Sequence, residues 1–109
     1  MIYEVEVSEQ AGRDLREIFE NIAFELQSPE NAIGQLDRLE EQILSLDAMP
    51  KRYRKYEKEP WKSRELHILP VDNYVILYIP NSDKKVVTIL RVMYAGRDID
   101  NQLNFYTKQ

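Results

Sequence analysis

Two long apolar runs near the C-terminus constrain the fold more than any other part of the sequence. The first extends from Tyr74 to Ile79 and the second from Lys85 to Tyr94, with the polar residues 81–83 between them. Both runs are rich in β-branched and aromatic residues, so the pattern predicts a β-hairpin. Because each run is apolar on both of its faces, we expect part of the hairpin to lie in a sheet that helices cover on one side.

The segments before the hairpin show strand and then helix patterns. Residues from Ile2 to Val7 alternate, which predicts a strand near a sheet edge. Ser8 is placed to cap the helix that follows. A second helix restarts at Ser28-Pro29-Glu30, and so short a connection predicts an antiparallel helical hairpin. The apolar positions of the two helices are Ala11, Leu15, Ile18, Phe19, Ile22 and Leu26, and then Ile33, Leu36, Leu39, Ile43 and Leu46.

A basic loop, a strand and a short helix complete the predicted elements. Residues 51–62 have no clean period and contain Tyr53, Tyr56 and Trp61. Residues 63–69 alternate again, which predicts a strand, and residues 70–73 predict the turn into the hairpin. Asp98 is placed to cap a C-terminal helix that carries Ile99 and Leu103. We expect residues 104–109 to form a frayed tail.

The predicted element order is β-α-α-β-β-β, an α+β fold in a single domain of residues 1–109. Sequential hairpins make the last three strands antiparallel, and the helical hairpin packs on one face of the antiparallel sheet. We expect the other face to be left to water or to a partner.

Charge is distributed unevenly along the chain. The net charge is −4, yet residues 1–50 hold 12 acidic and 3 basic side chains, a net of −9. Residues 51–64, called here the basic segment, hold 7 basic side chains and 2 acidic ones, a net of +5. Such polarity suits an anionic partner at one place on the surface. The alternative is a solvated loop whose charges aid solubility.

Composition excludes several classes of protein. The sequence has no cysteine, which excludes disulfides and thiolate chemistry, and no pattern indicates a metal site or a cofactor. The first residues do not resemble a signal or transit peptide, and no apolar stretch approaches membrane-spanning length. We therefore expect a soluble protein of the cytoplasm that does not contact a membrane.

Two stretches carry a resemblance to a known family. They are RELHILPVDNYVILY, residues 64–78, and VTILRVMYAGRD, residues 87–98. Together with the element order, they resemble the RelE/ParE superfamily of bacterial toxins from Tyr3 to about Leu103. The last strand is similar to the family's Arg-Val-x-His-x-x-Arg-Asp ending, with Tyr94 where many members carry histidine.

The resemblance implies the toxin of a type II toxin–antitoxin system. The resemblance further implies a cognate antitoxin that wraps and neutralises the toxin in a hetero-oligomer, with operator DNA contacted only through the antitoxin. Members of the superfamily act in two ways. RelE-like toxins cut messenger RNA in the ribosome, whereas ParE-like toxins bind DNA gyrase and stall it on broken DNA.

A ribonuclease that works without a metal needs a base, an acid and cations around the phosphate. The candidate catalytic residues for that alternative are Arg64, His67, Arg91, Tyr94 and Arg97. His67 has the one side chain whose ordinary pKa lies near neutrality, although it also fits an ordinary strand position. Arg64 and Arg97 either form an anion-binding pair or tie the strand ends to nearby acids.

Other features favour the ParE-like branch. RelE-like enzymes carry an arginine early in the first hairpin strand, where this chain has Val75, and they are commonly basic, whereas this sequence has a pI near 5.0. We therefore favour a non-catalytic gyrase inhibitor over an mRNA endoribonuclease. The expected partner-binding or nucleic-acid-binding residues are Arg52, Arg54, Lys55, Trp61, Lys62, Arg64 and Arg97.

Packing is the alternative role for Trp61, against the edge of the sheet. A non-toxic protein-interaction module is a further possibility for the whole chain.

Overall fold

The computed structural model describes residues 2–107, in which a four-stranded sheet carries two long helices and a short C-terminal one. A π-helical turn, Asn21–Glu25, follows the first helix, and short 3-10 turns lie at Ser45–Asp47 and Pro50–Arg52. The main elements are Glu4–Val7 (β1), Glu9–Glu20 (α1), Pro29–Leu44 (α2), His67–Val71 (β2), Tyr74–Asn81 (β3), Val86–Tyr94 (β4) and Ile99–Tyr106 (α3). The predicted α+β class and element order are confirmed.

The strands lie in the order β1-β4-β3-β2. The pairs β2–β3 and β3–β4 are antiparallel, as predicted, and a register shift at Leu77 and Tyr78 interrupts the second pair. β1 lies at the predicted edge but pairs in parallel with β4, with Val5 opposite Val87. The sheet is therefore mixed, with one parallel pair that the sequence pattern did not predict.

The helical hairpin covers one face of the sheet because its apolar stripe meets the alternate residues of the strands. Ser8 caps α1 as predicted, since its hydroxyl oxygen accepts a hydrogen bond from the Ala11 N–H at 3.0 Å. The same hydroxyl donates to the Leu90 carbonyl at 3.0 Å, which joins the start of α1 to β4. The buried core on this face comprises Ala11, Leu39, Ile43, Leu46, Leu69, Val71, Ile76, Tyr78, Val87, Ile89 and Val92.

The second face of the sheet is not left to water, and this part of the sequence prediction was wrong. A second buried cluster lies there, because the basic segment and α3 fold over the strands. Trp61 and Leu66 come from the loop and Leu103 from α3, and each is at most 1% exposed. The remaining members are Ile68, Val75, Leu77, Leu90 and Met93.

Several predicted boundaries differ from the structure. β2 begins at His67 rather than at residue 63, because residues 62–66 turn and Glu65 adopts a left-handed φ of 64°. β2 also includes Pro70, which an edge strand tolerates since its missing N–H breaks no ladder bond. Within the predicted helical stripes, Leu26 and Ile33 are exposed.

The C-terminal helix begins as predicted and ends later than predicted. The Asp98 carboxylate accepts a hydrogen bond from the Asn101 N–H at 3.2 Å, and Ile99 and Leu103 pack on the second cluster. Residues 104–106 were expected to be frayed but belong to α3, whose end is held by contacts to Arg91. The rest of the predicted tail, residues 108–109, lies outside the described residues. Within residues 2–107, no helix combines the length and apolar character needed to span a membrane.

Candidate functional site

The turn that follows β4 presents two of the predicted site residues to solvent. Tyr94 is 53% exposed, and Arg97 is exposed three residues later. The Arg97 N–H donates to the Tyr94 carbonyl at 3.1 Å, which closes the turn. A Cβ at Gly96 would meet the Tyr94 ring, so a larger residue there would have to displace that exposed ring. The turn therefore holds a phenol and a guanidinium on the same part of the surface.

A cleft of about 580 Å³, called here the Tyr94 cleft, lies between this turn and α1. Its walls combine aromatic, amide and charged groups. Arg97 also lines two smaller neighbouring clefts, of about 410 and 340 Å³. The residues that line the Tyr94 cleft are Asp14, Glu17, Ile18, Asn21, Leu26, Asn73, Tyr74, Val92, Met93, Tyr94 and Arg97.

Burial makes two phenols of β3 hard to ionise, that of Tyr74 in the wall of the cleft and that of Tyr78 in the core. Burial raises the pKa of Tyr74, and a charged Tyr94 would raise it further, since the two rings meet edge to face at 6.0 Å. Tyr78, in the core, has its pKa raised by burial, and its hydroxyl donates to the Pro50 carbonyl at 2.6 Å. Both phenols are therefore neutral at physiological pH.

Arg91 is buried in an ion pair with Asp14 and lines the 340 Å³ cleft beside the Tyr94 cleft. Its Nε lies 2.6 Å and its Nη2 2.9 Å from the two oxygens of the Asp14 carboxylate. Its Nη1 donates to the Tyr106 carbonyl at 3.2 Å and to the Thr107 hydroxyl at 3.0 Å. The Val92 N–H donates to the same carboxylate at 3.0 Å. This guanidinium therefore joins β4, α1 and the end of α3.

His67 lies inside the protein rather than at a surface. It is 2% exposed, and its Nδ1 lies 2.9 Å from the Glu65 carbonyl oxygen. Its ring also lies against Tyr78, with the ring centroids 5.4 Å apart. Substrate in solution cannot reach a side chain in this position without a rearrangement of β2.

The basic segment presents its charges on the surface but buries its tryptophan. Arg52, Arg54, Lys55, Lys62 and Arg64 are exposed, whereas Trp61 is 1% exposed, which matches the packing role considered for it. The Arg64 guanidinium lies 5.1 Å from the centroid of the Trp61 ring. Lys55 pairs with Glu65 at 2.7 Å, and this contact lowers the pKa of the Glu65 carboxyl.

Contacts with α3 hold the basic segment in place. The Trp61 indole N–H donates to the Asn104 side-chain oxygen at 2.9 Å. The Tyr56 hydroxyl and the Lys58 ammonium both contact the Asp100 carboxylate. The short C-terminal helix therefore fixes the shape of the loop that carries most of the predicted binding residues.

The predicted site residues do not form a single constellation. Tyr94 and Arg97 share the Tyr94 cleft, and Arg91 and Arg97 share the neighbouring 340 Å³ cleft. Arg64 lines neither of these two clefts. The sequence reasoning did not single out Asp14 or Asp100, which anchor Arg91 and the basic segment. The sequence did contain an indication of the role of Asp14, because this acid lies on the otherwise apolar face of α1. Among residues 2–107, no group of three or more His, Asp or Glu side chains is placed to bind a metal ion.

The comparisons with known proteins decide the family. The family model described as the ParE toxin of the type II toxin–antitoxin system parDE matches residues 5–99. The chain belongs to the ParE toxin family. The RelE/ParE resemblance is thereby confirmed. No curated protein sequence matches this ParE-family toxin.

Solved structures share the fold at low sequence identity. The chromosomal ParDE toxin–antitoxin system from P. aeruginosa aligns with a TM-score of 0.69 and 19% identity, over 85% of this chain and 96% of that one. The toxin–antitoxin complex RelBE2 from Mycobacterium tuberculosis aligns with a TM-score of 0.64 and 22% identity, over 86% of this chain and 99% of that one. A mutant of the E. coli toxin RelE in the free state aligns with a TM-score of 0.64 and 16% identity, over 91% of this chain and 90% of that one. These similarities show that the ParE-family chain has the common toxin fold.

Proposed function

We propose that this ParE-family toxin inhibits growth by binding and poisoning DNA gyrase, without catalysing RNA cleavage. The observation that carries the proposal is the placement of His67. The sequence contains one histidine, and its ring is buried against Tyr78 with Nδ1 next to a carbonyl. A general base must reach the proton that it removes, and a buried imidazole does not.

The charged groups support the same proposal. Arg91, a candidate for phosphate binding, has its guanidinium engaged by Asp14, Tyr106 and Thr107. Of the lysines in the basic segment, Lys55 and Lys58 contact carboxylates. Stabilising a cleaved phosphate needs cations directed at the reacting oxygens, whereas these cations are directed at protein groups.

The binding surface that we propose for gyrase is the exposed side of the basic segment together with Arg97. Arg52, Arg54, Lys62 and Arg64 present positive charge there, and α3 keeps the loop in one conformation through Asp100 and Asn104. A rigid cationic surface steers an acidic partner and fixes its orientation. Trp61 contributes to this surface through packing, because its ring lies inside.

An mRNA endoribonuclease is the second candidate, since Tyr94 and Arg97 share an open cleft. A phenol and a guanidinium at one cleft can donate a proton and stabilise a phosphate. In that mechanism Arg64, His67 and Arg91 would have supporting roles.

We further propose a cognate antitoxin as the physiological partner, because the ParDE and RelBE2 structures are toxin–antitoxin systems or complexes. Such a pair would form a hetero-oligomer that reaches operator DNA through the antitoxin. Its place of action would be the cytoplasm, where both gyrase and ribosomes work.

Expression of the toxin without its antitoxin, combined with purified assays, tests the proposal. We expect growth arrest with DNA breakage, loss of gyrase supercoiling in vitro, and intact ribosome-bound mRNA. Cleaved mRNA with unaffected supercoiling would instead establish the ribonuclease. Growth without arrest would indicate a non-toxic interaction module.

A further inference from the structure

A second pocket, of about 450 Å³, lies where β1 begins and where the chain leaves α2. Its volume is in the range of ligand pockets, roughly 300–1,000 Å³. It shares no residue with the Tyr94 cleft. The lining residues are Tyr3, Met49, Pro50, Lys51 and Arg52, of which two are cations and none is an acid.

Met49 gives the pocket an exposed apolar rim. Its side chain is 75% exposed, and its backbone is left-handed, with φ 48° and ψ 55°. Bulky residues rarely adopt this conformation, and surrounding contacts must hold it. The Arg52 N–H donates to the Met49 carbonyl at 3.1 Å, which closes the turn. A flexible thioether held outwards in this way is an adaptable surface for an apolar partner group.

Ile2 extends the apolar surface beside Met49. It is 76% exposed and forms a β-bridge with Ala48, the residue before Met49. Two large apolar side chains are therefore presented to solvent at adjacent positions. Apolar patches with a polar rim mark interaction sites on proteins.

Cations surround this apolar surface. Lys51 and Arg52 line the pocket and begin the basic segment. The exposed Arg52 guanidinium also donates to the carbonyls of Ala48 and Met49, so Lys51 is the cation with the greater freedom to meet a ligand. The Lys85 ammonium lies 5.4 Å from the centroid of the Tyr3 ring, and Tyr3 lines the pocket. The complementary ligand has an apolar group for Tyr3 and Met49 and carboxylates for the lysines and Arg52.

We propose that this pocket binds an acidic segment of the antitoxin, with an aliphatic or aromatic side chain seated on Tyr3 and Met49. This inference rests on the proposed role of an antitoxin as partner. A peptide segment fits better than a small anion, because a chain that passes the pocket also covers Ile2. Carboxylates of the segment then face Lys51 and Arg52 at the start of the basic segment.

The test is a calorimetric titration of full-length toxin with the full-length antitoxin encoded beside it. Met49→Asp places a carboxylate at the rim, and aspartate tolerates the left-handed backbone. Lys51→Glu reverses a cation of the pocket. We expect each variant to bind at least tenfold more weakly, with unchanged thermal unfolding. Exposed residues outside the pocket supply the matched controls, Ile33→Glu and Lys84→Glu, which should bind within twofold of the unchanged protein.

Binding of Met49→Asp and Lys51→Glu within twofold of the unchanged protein would overturn the inference. The inference would also be overturned if these variants kept their affinity for the antitoxin but lost affinity for phosphatidylglycerol vesicles. That result would assign the pocket to a membrane surface. A gyrase supercoiling assay without antitoxin separates the two proposals. If the unchanged toxin leaves gyrase active but Met49→Asp still loses the antitoxin, the gyrase proposal fails and the pocket assignment stands.

Discussion

The Arg91 guanidinium and the Asp14 carboxylate form a two-point ion pair across 77 positions of sequence, with nitrogen–oxygen distances of 2.6 and 2.9 Å. Both side chains are buried, at 5% and 7% exposure. One Asp14 oxygen also accepts the Val92 N–H, so the carboxylate satisfies a backbone group on the edge of β4 that β1 does not reach. The Asp14 side chain of α1 therefore takes the place of a strand partner for the Val92 N–H of β4.

Removal of this carboxylate should destabilise the protein strongly. Asp14→Ala leaves a buried guanidinium and a buried N–H without their acceptor, and the loss of one member of such a pair costs about 3–5 kcal/mol. Urea unfolding followed by circular dichroism measures the change. Asp37→Ala, at an exposed position on α2, is the control and should change stability by less than about 0.5 kcal/mol. Equal stability of the two variants would contradict the assigned role of Asp14.

Trp61 should contribute to stability through its packing. Trp61→Ala empties a large volume in the second cluster, and large-to-small changes of this kind cost about 3–5 kcal/mol. Asn104→Ala removes only the acceptor of the indole N–H and should cost about 1 kcal/mol. Thermal unfolding of both variants separates packing from hydrogen bonding. A milder effect for Trp61→Ala than for Asn104→Ala would contradict the burial of the ring.

Asp72 should make stability depend on pH in the acid range. Hydrogen bonds from Arg38, at 2.7 Å, and Gln35 lower the pKa of the Asp72 carboxyl below its ordinary value of 3.8. A lowered folded-state pKa gives stability that is present above the unfolded pKa and lost as pH falls through the folded one. Asp72→Asn, which retains the left-handed φ of 55°, should therefore be less stable than the unchanged protein at pH 6.

The difference between Asp72→Asn and the unchanged protein should begin to shrink as pH falls below about 4, the unfolded-state pKa, and should disappear below the folded-state pKa. Urea midpoints from pH 7 to pH 2 supply the measurement. Asp83→Asn, in the β3–β4 turn, is the matched control. A difference that is constant down to pH 2 would show that Asp72 acts through something other than its charge.

Charge reversal in the basic segment should weaken gyrase poisoning. Arg54→Glu and Lys62→Glu change exposed cations of the proposed binding surface. We expect roughly tenfold weaker inhibition of supercoiling for each, and less difference at high salt, since exposed charges are screened. Lys84→Glu changes an exposed cation elsewhere and should retain full inhibition. Equal inhibition by all variants would remove the basic segment from the gyrase interface.

The sequence predicted the elements whose signals are local. The hairpin of β3 and β4, the Ser8 and Asp98 caps and the restart at Pro29 each depend on a few neighbouring residues, and all are present. The parallel pairing of β1 with β4 depends on two segments about 80 residues apart, and no local pattern specifies such a register. The Asp14–Arg91 pair was missed for the same reason.

The covered second face was missed for a different reason. Residues 51–62 have no helical or strand period, so the sequence offered packing of Trp61 against the sheet edge only as one alternative and did not predict that the loop covers a whole face. The strands nevertheless carried a signal, because Val75, Leu77 and Met93 make their outer face as apolar as the inner one. Strands that are apolar on both faces need cover on both sides.

The last strand of the chain, β4, occupies a central place in the sheet between β1 and β3. During synthesis the ribosome releases β1 first and β4 last of the four strands. β1 of the nascent chain therefore has no parallel partner while α1, α2, β2 and β3 are synthesised, and the sheet cannot close before β4 emerges.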